Sequence, residues 1–325
     1  MLVLAIVLVP TAGRAAPPAP TARPDGAAPT SAELALTVSP AWLAAHLRDP
    51  DLVVLHIGPP ESYGKGHIAG ARQVAFADLA VSAPDPSGLS LELPPADQLR
   101  QGLERLGISN RSKIVVYFTD DLVSAATRVV WTLDVAGLGA RTALLDGGLV
   151  AWVGDGHPVT AVVPPARPGK LTGFAIRPIT VDAAAVVAGL SKPGVAVVDA
   201  RNPEFYDGSK TGGMADHRHK PGHIAGALSL PFDSVFDDHN KLRSPDELRA
   251  RFASAGVAPG DTVIGYCHIG QQATAMLFAA RSLGYNVRLY DGSFEDWSRF
   301  HPGYPVATGA TAKPAGAPAK PRSTP

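Results

Sequence analysis

Short aliphatic and β-branched runs recur along this chain, separated by stretches in which apolar residues return every three or four positions. Leu52-Val53-Val54-Leu55, Ile114-Val115-Val116-Tyr117 and Thr142-Ala143-Leu144-Leu145 are near-continuous apolar runs, as expected of strands buried on both faces. Residues 196–199, 262–266 and 287–290 repeat the pattern later in the chain. Residues 245–256 and 273–283 carry helical spacing. Strands alternating with helices predict an α/β fold, a parallel sheet flanked by helices. Sites in such sheets lie just past the carboxyl ends of the strands.

Proline-rich stretches divide the pattern into segments. Residues 1–33 hold an apolar run followed by a Pro/Ala-rich linker. Residues 163–174 begin Val163-Pro164-Pro165-Ala166-Arg167-Pro168-Gly169. Residues 307–325 have the composition of a disordered tail. Two bodies remain, 34–162 and 175–306, and they are copies of one another. Gly66-His67-Ile68-Ala69-Gly70-Ala71 recurs as Gly222-His223-Ile224-Ala225-Gly226-Ala227. Leu145-Asp146-Gly147-Gly148-Leu149-Val150-Ala151-Trp152 recurs as Tyr290-Asp291-Gly292-Ser293-Phe294-Glu295-Asp296-Trp297. The order is kept, which marks a duplication, and each copy is long enough to bury its own core.

The chain has 325 residues, with 46% hydrophobic and 18% charged, which fits a packed two-domain protein. Lys plus Arg and Asp plus Glu both number 29, so the overall charge gives no footprint for nucleic acid. The run Leu2-Val3-Leu4-Ala5-Ile6-Val7-Leu8-Val9 is too short to span a bilayer and reads as a signal-peptide core. The expected location is periplasmic or secreted, without stable membrane association after processing, or cytoplasmic if the run is not a signal.

With one cysteine, no internal disulfide forms. A lone Cys is ordinarily a small buried apolar residue. Cys267 has a more telling position, directly after the strand at 262–266 and before the helix near Ala273. A loop at a helix N-terminus offers free backbone N–H groups and the positive end of the helix dipole, which favour an anionic sulfur. Gly270 lets that loop bend where a side chain would obstruct it. Cys267 is the expected nucleophile, with His268, Ile269, Gly270, Gln271 and Gln272 forming an anion cradle. At the matching strand end of the first copy, Thr119 is read opposite Cys267, followed by Asp120 and Asp121. That copy is expected to be catalytically silent.

These pieces together resemble the tandem-domain rhodanese family across residues 34–306. The matching segments are both His-Ile-Ala-Gly-Ala motifs, both Asp-Gly-X-X-X-X-Trp motifs, Asp199-Ala200-Arg201 and the loop from Cys267 to Gln272. The resemblance implies two tandem rhodanese-like domains, an inactive first one and a catalytic second one. It implies a sulfurtransferase that carries sulfane sulfur on Cys267 as a persulfide. The sulfur would come from a small anionic donor and pass to a thiol or cyanide, with no cofactor. Mercaptopyruvate-type members usually have Cys-Gly-X-Gly in the loop, whereas this chain has Cys267-His268-Ile269-Gly270. Thiosulfate-type members often place a basic residue after the Cys, where His268 is only conditionally cationic. Thiosulfate is the favoured donor and 3-mercaptopyruvate the alternative.

Arg201 also lies at a strand end. It suits a sulfonate- or carboxylate-like oxygen of the donor, or else an ion pair with Asp199. His67 and His223 occur in both copies and are expected to be structural, as are Trp152 and Trp297. His217-Arg218-His219-Lys220 reads as an exposed basic loop near the cleft rather than a metal site. Other classes fit less well. A tyrosine-phosphatase-like enzyme needs Arg six positions after its Cys, where this chain has Ala273. A non-catalytic persulfide carrier would use the same Cys267 with a protein partner.

Overall fold

The computed structural model describes residues 33–82, 88–214 and 217–309. The apolar N-terminal run and most of the 307–325 tail lie outside them. Each copy builds a five-stranded sheet with every adjacent pair parallel. In the first copy the spatial order is Thr37–Val38, Thr142–Leu145, Lys113–Phe118, Leu52–Ile57 and Arg72–Gln73. In the second it is Thr180–Val181, Asn286–Tyr290, Thr262–Tyr266, Val195–Asp199 and Leu228–Ser229. The two orders coincide, as duplication requires. The apolar runs form the three inner strands of each sheet. The outer two-residue strands are too short to leave a periodic signal.

The copies meet along two helices, Val123–Val135 and Gln272–Ser282, which pack on each other. Every residue of Val123–Val135 is buried. A helix with no exposed face must be covered on all sides, and its partner supplies part of that cover. One core cluster runs through both copies, including Val129, Leu133, Ala275 and Leu277. At the helix contact, the hydroxyls of Thr127 and Thr274 lie 3.0 Å apart.

Helix Val123–Val135 carries two charged residues, and both reach across to the second copy. Buried Asp134 pairs with Arg177 and, at 3.1 Å, with Arg281. Arg128, 1% exposed, pairs with Asp291 at 2.5 Å. Buried charges need such partners, because an uncompensated one costs several kcal/mol. Among the described residues no helix is long and apolar enough to cross a membrane.

The repeated motifs are framework. His67 stacks on Tyr63 with ring centroids 3.9 Å apart, and its Nδ1 lies 2.8 Å from the Tyr63 carbonyl. His223 repeats this on Tyr206 at 3.6 Å and 2.7 Å. Trp152 and Trp297 are both fully enclosed.

Candidate active site

Strand Thr262–Tyr266 ends at Cys267, and helix Gln272–Ser282 begins five residues later. The loop between is fixed from outside by the Asp-Gly-X-X-X-X-Trp motif. The Cys267 N–H donates to Ser293 Oγ (3.2 Å), and that hydroxyl donates to the Tyr290 carbonyl (2.8 Å). The carbonyls of Cys267 and His268 accept from the N–H groups of Phe294 and Glu295, both at 3.0 Å. The Gly270 carbonyl accepts from Arg128 Nη1 at 3.0 Å. Gly270 has φ +76°, and a Cβ there would lie 2.6 Å from the Asp291 carbonyl oxygen.

The outward carbonyls are thus tied down, while the amides are not. Among the described residues, no acceptor takes the N–H of His268, Ile269, Gly270, Gln271 or Gln272. Buried amides are nearly always paired, so a run of open ones beside a helix N-terminus forms an anion-binding concavity. Cys267 itself has no exposed surface. Burial alone describes a core cysteine; the open amides beside it distinguish this one.

The remaining candidates fall into different environments. Gln271 precedes the helix, and its Nε2 donates to Ser124 Oγ of the first copy at 3.2 Å. Gln272 opens the helix with its Oε1 unpartnered. Ile269 is half-buried in the loop. Arg201 does not open onto the loop as an anion receptor. It is 1% exposed, and its Nε and Nη2 grip the Asp199 carboxylate at 2.6–3.1 Å. Its Nη2 also donates to the Gly222 carbonyl at 2.8 Å. Asp199 lies two residues away with its carboxylate equally buried, so it neutralises the guanidinium and the ion-pair reading holds.

His268 departs from the conditional cation expected of it. Burial, with Arg201 and His219 nearby, pushes its pKa down to about 3. It is neutral at ordinary pH and a poor proton acceptor. His219, expected on an exposed loop, is 4% exposed; its ring lies 5.7 Å from that of His268 and 6.0 Å from Phe294. A Cβ on Gly212 would meet the Nδ1 of both histidines, so this segment, unique to the second copy, lies against His268. Only Arg218 of the two described flanking residues is exposed, while Lys220 is half-buried. Burial also pushes His219 down to about 4. Among the described residues, no group of three His, Cys, Asp or Glu is placed to hold a metal ion.

The first copy corrects the sequence comparison by one residue. Tyr117 and Tyr266 occupy the same station: each hydroxyl accepts from the N–H of the Ile in its His-Ile-Ala-Gly-Ala motif, Ile68 or Ile224, at 3.1 Å. The residue after Tyr117 is Phe118, so Phe118, not Thr119, stands where Cys267 stands. Strand Lys113–Phe118 runs one residue further than Thr262–Tyr266, so matching strand ends shifts the comparison. Asp199 pairs with Tyr266 in the sheet as His56 pairs with Tyr117. The first copy therefore has His56 and Gly58 in place of the Asp199–Arg201 pair. Asp120 and Asp121 are exposed on its loop.

These buried imidazoles have a consequence for stability. His56, fully buried, is held at about 4, while an unfolded histidine titrates near 6.5. Between these values the unfolded chain binds more protons, so stability falls as pH drops below about 6.5. His219 and His268 act in the same direction. Glu92 is raised to about 8 by burial and then by Asp291, and so stabilises at low pH and loses that contribution as pH rises toward 8. Asp146, raised by burial, also opposes the histidines. With His223 also lowered by burial, four imidazoles act against two carboxyls between pH 7 and 5, so Tm is expected to fall as pH drops over that interval. Thermal melts across it check the sign; a Tm that is flat or rising toward pH 5 contradicts it.

The comparisons agree with this architecture. A model described as "Rhodanese-like domain" matches residues 39–155 and again 182–300. The chain is 31% identical over 276 residues to a thiosulfate sulfurtransferase of Azotobacter vinelandii, covering 85% of this chain and 98% of that protein. It is 35% identical over 283 residues to a probable 3-mercaptopyruvate sulfurtransferase of Pseudomonas aeruginosa, covering 82% and 96%. The crystal structure of the Escherichia coli 3-mercaptopyruvate sulfotransferase SseA superposes with a TM-score of 0.68 at 26% identity, over 80% of this chain and 99% of that one. With its repeated fold and its cysteine loop, the chain belongs to the rhodanese family of sulfurtransferases, as a tandem of two rhodanese-like domains.

Proposed function

We propose that Cys267 takes a sulfane sulfur from a small anionic donor, holds it as a persulfide and passes it to a thiophilic acceptor such as a thiol or cyanide. The observation that carries this reading is the run of open amides from His268 to Gln272 beside the only cysteine. With thiosulfate, the Cys267 thiolate attacks the outer sulfur, the S–S bond breaks, and sulfite leaves with the bonding pair. The acceptor then attacks the outer sulfur of the persulfide and restores the thiolate. The same amides hold the anion in both half-reactions, and neither transfer needs His268 as a base.

Thiosulfate is the favoured donor, because the loop departs from Cys-Gly-X-Gly. The second reading, 3-mercaptopyruvate, is supported by the Pseudomonas aeruginosa relative. The two donors are separated by steady-state rates with each, using cyanide as acceptor. A covalent intermediate predicts parallel double-reciprocal lines with the preferred donor. Intersecting lines would overturn the persulfide route. Persulfide formation without turnover would favour a carrier that serves a protein partner. With the apolar N-terminal run read as an export signal, we place the reaction outside the cytoplasm.

A further inference from the structure

We infer that Arg128, a residue of the domain without the cysteine, is a positioning residue for the sulfur-transfer loop. The inference rests on the reading of Cys267 as the sulfur carrier. Arg128 leaves the middle of helix Val123–Val135, crosses the domain boundary and is 1% exposed. Its Nη1 donates to the Gly270 carbonyl at 3.0 Å and to Asp291 Oδ1 at 2.5 Å. Its Nη2 donates to the Leu91 carbonyl at 2.6 Å. Asp291 is fixed in turn, since its Oδ2 accepts from the Leu93 N–H at 2.9 Å. One guanidinium thus joins the catalytic loop, the Asp-Gly-X-X-X-X-Trp motif behind it and a strap of the first domain. A planar fork of fixed donors does this where a single ammonium would not.

The consequence for the site follows from the peptide unit. None of the described peptides is cis. In a trans peptide the C=O and the next N–H point to opposite sides. Holding the Gly270 carbonyl against Arg128 therefore turns the Gln271 N–H to the other side of the loop, where it joins the open amides. Gly270 fits flush against this support: a Cβ there would lie 3.0 Å from Arg128 Nη1. The silent domain thereby contributes to transfer by shaping the cradle, without touching the sulfur.

The test uses the full-length protein and thiosulfate, with single-turnover persulfide formation read by mass. A cradle displaced by about 1 Å predicts that Arg128→Met slows loading about a hundredfold, with donor KM changed less than about threefold. Arg128→Lys, which keeps the buried charge but not the fork, should fall between, about tenfold slow, and carries the test if the Met variant does not fold. Arg281→Met, which breaks the Asp134 contact at the same domain boundary, should lower Tm and leave loading unchanged. Wild-type loading in the folded Arg128 variants, with only Tm lowered, would overturn the inference. So would equal slowing by Arg281→Met, because the effect would then be domain loosening. Wild-type protein that forms no persulfide at all would overturn the sulfur-transfer reading and this inference with it.

Discussion

Cys267→Ser is expected to abolish sulfur transfer, with turnover at least about a thousandfold below wild type, or about 4 kcal/mol of lost transition-state stabilisation. The hydroxyl is close in size to the thiol, and the loop is anchored through the Cys267 backbone and Ser293 rather than through sulfur. The fold should therefore be retained, as circular dichroism and an unchanged melting profile would show. Cys267→Ala should behave in the same way. Moving the cysteine should not rescue activity. The station to test is Phe118, and in Phe118→Cys with Cys267→Ser the exposed acids Asp120 and Asp121 remain on the loop. They repel an anionic donor, and the Asp199–Arg201 pair has no counterpart there. Residual activity of a few per cent in Cys267→Ser, or near wild-type activity in the transplanted variant, would contradict the assignment.

Gly270→Ala is expected to have the second largest effect. The φ of +76° costs an L-residue roughly 1–2 kcal/mol, and the added methyl would lie 2.6 Å from the Asp291 carbonyl oxygen. Backbone cannot yield there as a flexible side chain would, so the loop must shift away from Arg128 and Asp291. Sulfur loading should fall at least about thirtyfold, since a displacement of about 1 Å is enough to spoil the cradle. Tm should fall by several degrees. The control is Gly64→Ala, in helix Pro60–Lys65, where a methyl meets nothing within 4 Å. That change should leave activity untouched and, through helix propensity, slightly raise Tm. If Gly270→Ala matched it, the loop would not be held as described.

The inner strands and the helix after Cys267 were legible because they are continuous apolar runs or carry helical spacing. The duplication and the cysteine loop were legible because they are local strings. What escaped depends on three-dimensional neighbours. Helix Val123–Val135 mixes Ser124, Thr127, Arg128, Thr132 and Asp134 among its apolar residues, and its complete burial shows only once the second copy packs against it. Its Arg128 resembles any helical arginine until the fold brings Gly270 and Asp291 against it. For Arg201 the sequence left a donor oxygen and an ion pair with Asp199 equally open, and only packing shows it sealed in that pair, as only packing shows His219 buried beside His268. The placement of Thr119 opposite Cys267 came from matching strand ends. The tyrosine hydroxyls that set the true register become visible only once the Ile68 and Ile224 amides lie beside them.

The central claim is that Cys267 carries the sulfur. Its most direct test is the intact mass of the protein after exposure to thiosulfate, before and after cyanide is added. The account predicts a gain of one sulfur atom, mapped to Cys267 by peptide mass spectrometry, lost on cyanide treatment and absent in Cys267→Ser. No added sulfur with either thiosulfate or 3-mercaptopyruvate, or added sulfur that persists in Cys267→Ser, would contradict it.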